Sequence, residues 1–276
     1  MKTQKIMAWV KTVLIGLLAI VFLLPLLWMV SSSLKSQPQV FETPFRWVTD
    51  QLRFDNYVQV WTSKTLPFWK LFINSLIICV GGALGQLIVS SLAAYAFARI
   101  DGKGKNVVFI LFMVAMMVPV QVTIIPRYIM FREIGIYNTL FSVILPQFFG
   151  VTSIFLLRQF FMSLPVELTE AARVDGAGHL RIWFQITMPL IKAGMATVVT
   201  LSFITSWNDY LNPLIFLAKR ELYTVSLGVR SYLYDFEEQY HLMMAAAACA
   251  ILPMLIVFLA AQKQFIESIA VTGVKG

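Results

Sequence analysis

Residues 71–98 read LFINSLIICVGGALGQLIVSSLAAYAFA, from Leu71 to Ala98 without one Asp, Glu, Lys or Arg. A helix of about 20 apolar residues crosses the ~30 Å hydrocarbon core of a bilayer. This run is longer than that and predicts a transmembrane helix. Gly81 and Gly85 within it form a G-x-x-x-G pair, followed by Ser90, Ser91 and Ala94. Small residues at such spacing let helices approach closely in lipid.

Five further apolar runs lie outward from this one, at about 13–30, 107–126, 140–161, 189–207 and 243–262. Pro119 falls near the far end of the third span, Pro146 in the first half of the fourth, and Pro253 interrupts the sixth. The first run follows Lys2, Lys5 and Lys11, as a signal peptide does. Its apolar stretch is longer than a typical signal core and no small-residue cleavage site follows, so it reads as a retained helix.

Composition agrees with the bilayer as solvent. Of 276 residues, 59% are hydrophobic and 13% charged, and the mean hydropathy is +0.76. Soluble domains carry about 25% charged residues. The net charge of +8 does not imply nucleic acid, because the basic residues are scattered between apolar runs and form no stripe. With the N-terminus inside, the cytoplasmic segments hold twelve basic and five acidic residues, and the outer segments ten and nine. That leaves +7 inside and +1 outside, together the stated +8. Both termini are therefore placed in the cytoplasm. The long outer segment 34–69 carries Phe41, Phe45, Trp47, Phe54, Tyr57 and Trp61, which read as an interfacial belt and a small surface cap. A second long outer segment covers 208–241.

Several classes are disfavoured. No G-x-x-x-x-G-K-[ST] occurs, so the chain has no P-loop of its own for ATP. The apolar runs hold no Asp or Glu in their cores, only milder groups such as Asn74, Gln86, Gln121 and Gln147. Ion-coupled carriers usually need ionisable groups at mid-membrane. Cys79 and Cys249 sit in apolar runs and read as small buried hydrophobes. His179 and His241 are far apart without companions, so no metal site and no acid–base chemistry are assigned.

The stretch between the fourth and fifth spans differs in kind. It reads Ser163-Leu-Pro-Val-Glu-Leu-Thr-Glu-Ala-Ala-Arg-Val-Asp-Gly. Pro165 suits a first helical turn. Glu167 and Glu170 lie near the positive end of the helix dipole. Gly176 can take the left-handed conformation that ends a helix. A second short helix over about 179–187 then leads to Pro189. The product is a short helix–turn–helix at the inner membrane face, held at both ends by membrane spans.

This segment resembles the cytoplasmic signature of permeases in binding-protein-dependent ABC importers: E-A-A, three residues, G, nine residues, I-x-L-P. Here it reads Glu170-Ala171-Ala172, then Gly176, then Ile186-Thr187-Met188-Pro189, with Met188 for leucine as the one departure. Trp207-Asn-Asp-Tyr-Leu-Asn-Pro-Leu-Ile-Phe-Leu217 resembles a stretch of the carbohydrate-type permeases. The ending Gly273-Val274-Lys275-Gly276 resembles that of the shorter, maltose-type second permease.

The resemblance implies an all-α integral membrane protein with six transmembrane helices, both termini cytoplasmic, and a cytoplasmic coupling helix between spans 4 and 5. Residues 1–276 form a single transmembrane permease domain, with the family core at about 71–262 and the coupling segment at 163–188. It also implies a multi-pass protein of the cytoplasmic (inner) membrane of a prokaryote. The chain is a transport subunit, not an enzyme, and moves a carbohydrate by alternating access. Implied partners are a second, longer permease, two ATPase subunits that bind ATP and Mg, and an extracellular sugar-binding protein. No cofactor belongs to this chain. Glu170, Ala171, Ala172, Asp175, Gly176, Ile186 and Pro189 are implied in ATPase coupling. Within that set, Glu170 would bond a basic group, Ala171 and Ala172 would seat in the ATPase cleft, and Asp175 and Gly176 would hold the turn. Lys275 and Gly276 would approach the ATPase through the tail.

Asn208, Asp209, Tyr210 and Asn212 supply the planar polar groups that bind sugars; they read equally as a belt residue followed by a helix-ending loop. Which permease holds the sugar is open at this point. Two alternatives stand: a same-superfamily permease for a polyol phosphate or other non-sugar solute, and an autonomous secondary carrier.

Overall fold

The computed structural model describes residues 2–234 and 238–273, and every regular element among them is helical. The helices are α1 (Lys2–Ser33), α2 (Asp55–Thr62), α3 (Phe68–Arg99), α4 (Lys105–Ala115), α5 (Val120–Glu133), α6 (Leu140–Ile144), α7 (Val151–Ser163) and α8 (Glu167–Val174). They continue with α9 (His179–Leu190), α10 (Lys192–Trp207), α11 (Leu211–Phe216), α12 (Val225–Tyr234) and α13 (Tyr240–Gly273). Four helical stretches are long and apolar enough to cross a membrane: Trp9–Ser33, Phe68–Arg99, Leu140–Ser163 and Tyr240–Gln262. Two bent pairs, α4 with α5 and α9 with α10, bring the number to six if each pair is one span.

The bends fall inside the third apolar run and near the start of the fifth. Between α4 and α5 the axis turns by 95°. Pro119 is the cause: its ring fixes φ at −59° and it stands as the N-cap of α5. A proline also drives the residue before it out of the helical region, so α4 ends ahead of it. Between α9 and α10 the turn is 85°. Ile191 there leaves the helical well at φ −103°, ψ 29°, and α10 begins at Lys192. Pro189 thus belongs to the last turn of α9, before the bend. The fourth span is broken at Phe149–Gly150, whereas Pro253, where an interruption was expected, lies within the helical residues of α13.

Two compact units make up the chain. The first comprises residues 1–69 and 228–252. The membrane stretch of α1 is apolar and bare, with none of its 18-residue window buried inside the chain. Lipid or another subunit must cover it. Its outer end is anchored by Asn56, whose Nδ2 donates to the Ser33 and Lys35 carbonyls at 2.8 and 2.9 Å. Some aromatic residues of the outer segments pair with one another, while Phe54 stays exposed. Phe41 meets Tyr240 edge-on at 4.8 Å and Phe45 meets Trp47 at 5.2 Å. Lys35 is buried, its Nζ 3.6 Å from the centre of the Phe45 ring. Burial lowers its pKa from the ordinary lysine value, against the opposing pull of Glu42.

The second unit comprises residues 70–227 and 253–276. Its packing turns on the small residues of α3. A Cβ at Gly85 would lie 2.0 Å from the Phe148 ring, and one at Gly82 would lie 2.0 Å from Gln147 Oε1. The short turn Leu145–Phe148 therefore sits directly on the α3 backbone. Gly85→Val is expected to lower the thermal midpoint of the detergent-solubilised protein by several degrees, since overpacking of this kind costs about 1–3 kcal/mol. An unchanged midpoint would show that this contact does not hold the unit together. Asn138, at φ 58°, closes the outer end by accepting from the Ala218 and Lys219 amides at 2.8 and 3.0 Å.

Candidate functional site: a cytoplasmic helix and a polar cavity

The cytoplasmic helix α8 is built by local rules. Glu167 and Glu170 occupy its first turn and Arg173 its last, complementing the helix dipole. It ends on Gly176 at φ +78°. The Ala177 amide donates to the Ala172 carbonyl at 2.9 Å and the Gly176 amide to the Arg173 carbonyl at 3.0 Å. This pair of bonds is the Schellman arrangement, which needs a residue free to adopt positive φ.

Tertiary packing then decides which side faces out. Thr169 and Ala172 are buried, 4% and 6% exposed. Ala172 lies in a core made by Ala94 and Tyr95 of α3, Ile154, Leu157 and Phe161 of α7, Ile182 and Met188 of α9, with Ile191 and Val198. Ile186 packs on the same core, partly buried. Glu170, Ala171, Asp175, Gly176 and Pro189 are exposed. The implied pair Ala171–Ala172 is therefore divided: Ala171 faces outward, and Ala172 seats the helix on its own chain. Neither alanine's neighbourhood could be told from spacing alone, because both fall on adjacent positions of a short helix. The Glu170 carboxylate makes no hydrogen bond or ion pair with any described residue.

Polar ties hold the seat. Arg99, the last residue of α3, donates through Nη2 to the Phe161 carbonyl at 2.6 Å and to the Leu164 carbonyl. It thereby caps the C-terminal end of α7 with a cation. His179 stands between Tyr95 Oη at 3.3 Å and Arg173 Nη2 at 3.1 Å. The first tie joins α3 to α7, and the second joins α8 to α3 through His179 of α9. Lys275 and Gly276, the tail residues singled out in the sequence, lie outside the described residues.

At the outer end, Trp207 is buried and stacks on Phe203 with ring centres 5.7 Å apart. Asn208 closes α10 by donating Nδ2 to the Ile204 carbonyl at 2.8 Å and to Met254 Sδ at 3.4 Å. Asp209 caps α11: Oδ1 accepts from the Asn212 amide at 3.2 Å and Oδ2 from Asn212 Nδ2 at 2.7 Å. Asn212 Oδ1 in turn accepts from Arg127 Nη2 of α5 at 2.6 Å. The Arg127 guanidinium lies over the Phe216 ring at 4.9 Å. Asp209, Asn212 and Arg127 line a cavity of about 560 Å³, together with Gln86, Gln147, Ser153 and Thr205. Asn208 and Tyr210 do not line it.

Arg127 escaped the sequence reading. It stands one residue past the expected end of the third span at Pro126, where the sequence marks only an outer charge. The signal is an arginine directly after Pro126 inside the helix VQVTIIPRYIMFRE, ahead of Arg132. Among the described residues, no group of three or more His, Cys, Asp or Glu gathers to hold a metal.

Residues 86–271 match the family described as "Binding-protein-dependent transport system inner membrane component". That match, on a multi-pass helical chain, defines a membrane-embedded transport permease. The chain belongs to the binding-protein-dependent transport system inner membrane component family. It is 31% identical over 277 residues to the arabinooligosaccharides transport system permease protein AraQ of Halalkalibacterium halodurans, covering 100% of this chain and 99% of that one. It is 32% identical to the sn-glycerol-3-phosphate transport system permease protein UgpE of Pectobacterium atrosepticum, covering 93% and 92%. Its fold is similar to a chain of a bacterial ABC transporter involved in the import of the acidic polysaccharide alginate, with a TM-score of 0.83 and 25% identity over 95% of this chain and 98% of that one.

Proposed function

We propose that residues 1–276 act as one of two permease domains in an ATP-driven importer of a carbohydrate, in the cytoplasmic membrane of a prokaryote. α8 is the coupling helix. It offers Glu170 and Ala171 to a separate ATPase subunit, which binds the ATP and Mg. Asp175 and Gly176 shape the turn, Ile186 and Ala172 seat it, and Pro189 sits at the bend that passes its movement to α10. Closure of two ATPases would draw this helix and that of a second permease together, switching the path from inward- to outward-facing. A sugar-binding protein outside delivers the cargo. The observation that carries the reading is α8 itself, an exposed acidic helix seated on the ends of three others. The similarity to AraQ along the whole chain favours an oligosaccharide, while the similarity to UgpE favours a polyol phosphate as the second reading.

The test is a pull-down of the tagged chain from mild detergent, with mass spectrometry and an ATPase assay on the eluate. A co-purifying P-loop ATPase and second permease, with hydrolysis stimulated by a sugar-loaded binding protein, are the expected result. Recovery of the chain alone, with ion-dependent uptake in liposomes, would replace the reading with an autonomous carrier.

A further inference from the structure

We propose that this chain holds a substrate subsite of its own, in the cavity beside Arg127, and that the subsite takes an uncharged sugar unit. The proposal rests on the importer reading above and adds to it where the cargo touches this subunit and what charge it carries.

Ionisable groups inside a membrane-spanning bundle are costly, and where they occur they mark a path or a site. Arg127 lies in the second helix of a bent pair that counts as a candidate span, and it lines one cavity with Asp209, which follows the end of α10. Its volume, about 560 Å³, falls within the range of small-molecule sites, about 300–1,000 Å³. The remaining polar lining comes from amides and hydroxyls, among them Gln86, Gln147, Ser153 and Thr205. Sugar hydroxyls both donate and accept, and they match a wall that offers both.

Charge narrows the class. Arg127 and Asp209 are the ionisable lining residues, one of each sign. Asn212 joins them, giving two donors to Asp209 and taking one from Arg127. The lining therefore carries no net charge to match a phosphate or a carboxylate, and an anion would meet Asp209 beside the guanidinium. The network is also incomplete on the arginine side, since Arg127 Nε is buried without a partner. A ligand hydroxyl in the cavity supplies the guanidinium with an acceptor besides Asn212. No aromatic ring lines the cavity, so a sugar is held by hydrogen bonds alone and can leave again. A transport path requires such release.

The experiment uses the complete importer, reconstituted in liposomes with its own binding protein. Uptake and ATP hydrolysis are measured together for arabinotriose, an alginate trisaccharide and sn-glycerol 3-phosphate. The wild type is expected to import arabinotriose. Arg127→Gln and Asp209→Asn are each expected to lower uptake per ATP hydrolysed by about tenfold or more, as the loss of a hydrogen bond to a charged group does. The double variant should be no worse than the poorer single one, because the two act as a unit. Thr205→Phe, which fills the cavity from another wall, should do the same without touching the network. Wild-type uptake per ATP in Arg127→Gln and Thr205→Phe would overturn the subsite. Loss of binding-protein-stimulated hydrolysis in parallel with uptake would also overturn it, as the network would then be structural while the importer reading stands. Import of either anion in place of arabinotriose would overturn the charge assignment. Absence of ATP-driven uptake for all three would overturn the importer reading and the subsite with it.

Discussion

Glu170→Lys is expected to abolish ATP-driven uptake while the chain stays in the membrane at its normal level. The carboxylate is exposed, lies in the first turn of α8, and makes no hydrogen bond or ion pair with any described residue. Reversing its charge therefore removes no internal contact. The intrinsic cost is the unfavourable dipole interaction at the helix start, about 0.3–1 kcal/mol. That is too little to unfold a helix seated by Ala172 and capped at Gly176. A like charge placed against a basic group across an interface costs several kcal/mol. The loss should accordingly appear in coupling and not in stability. Uptake and membrane abundance measured on the same cells check this. Normal uptake would remove Glu170 from the ATPase contact, and loss of the protein from the membrane would assign it a folding role instead. Glu170→Gln, which keeps the shape and one acceptor, should fall between.

Ala172→Asp is expected to cause the largest structural loss on this face. Ala172 is 6% exposed and lies in a core shared with residues of α3, α7, α9 and α10. A carboxylate there has no partner, and a buried unpaired charge costs several kcal/mol. The seat of α8 should open, lowering the thermal midpoint and releasing the ATPase on purification. Ala171→Asp alters the neighbouring, exposed position, so its thermal midpoint should stay near that of the wild type. The contrast between adjacent alanines is the discriminating result. Equal midpoints for the two variants would mean that α8 does not lie on the core as described.

Much of this molecule is legible in one dimension because the bilayer imposes a local test. A span is a run of apolar residues of fixed length, and six such runs can be counted without knowing what packs against what. The helix–turn–helix at 163–188 is likewise local. Its acidic start and its glycine stop depend on residues within one or two turns, and Gly176 adopts the positive φ that such a stop uses. The closeness of α3 to its neighbour was also announced, at Gly85, by the spacing of small residues.

What the tertiary structure decided concerns direction and pairing. The 95° and 85° bends divide two apolar runs, because hydropathy measures how oily a segment is and not where its axis points. Ala172 faces inward and Ala171 outward by the rotation of a short helix on a core contributed by residues from Ala94 to Val198. Arg127 finds Asn212 across 85 positions of sequence, a bond that no local pattern encodes. The sequence by itself thus determined which apolar runs this chain offers a membrane and where a short acidic helix interrupts them. Only the folded chain decided which side of that helix is free and which polar groups share a cavity, because those depend on contacts between residues the sequence keeps far apart.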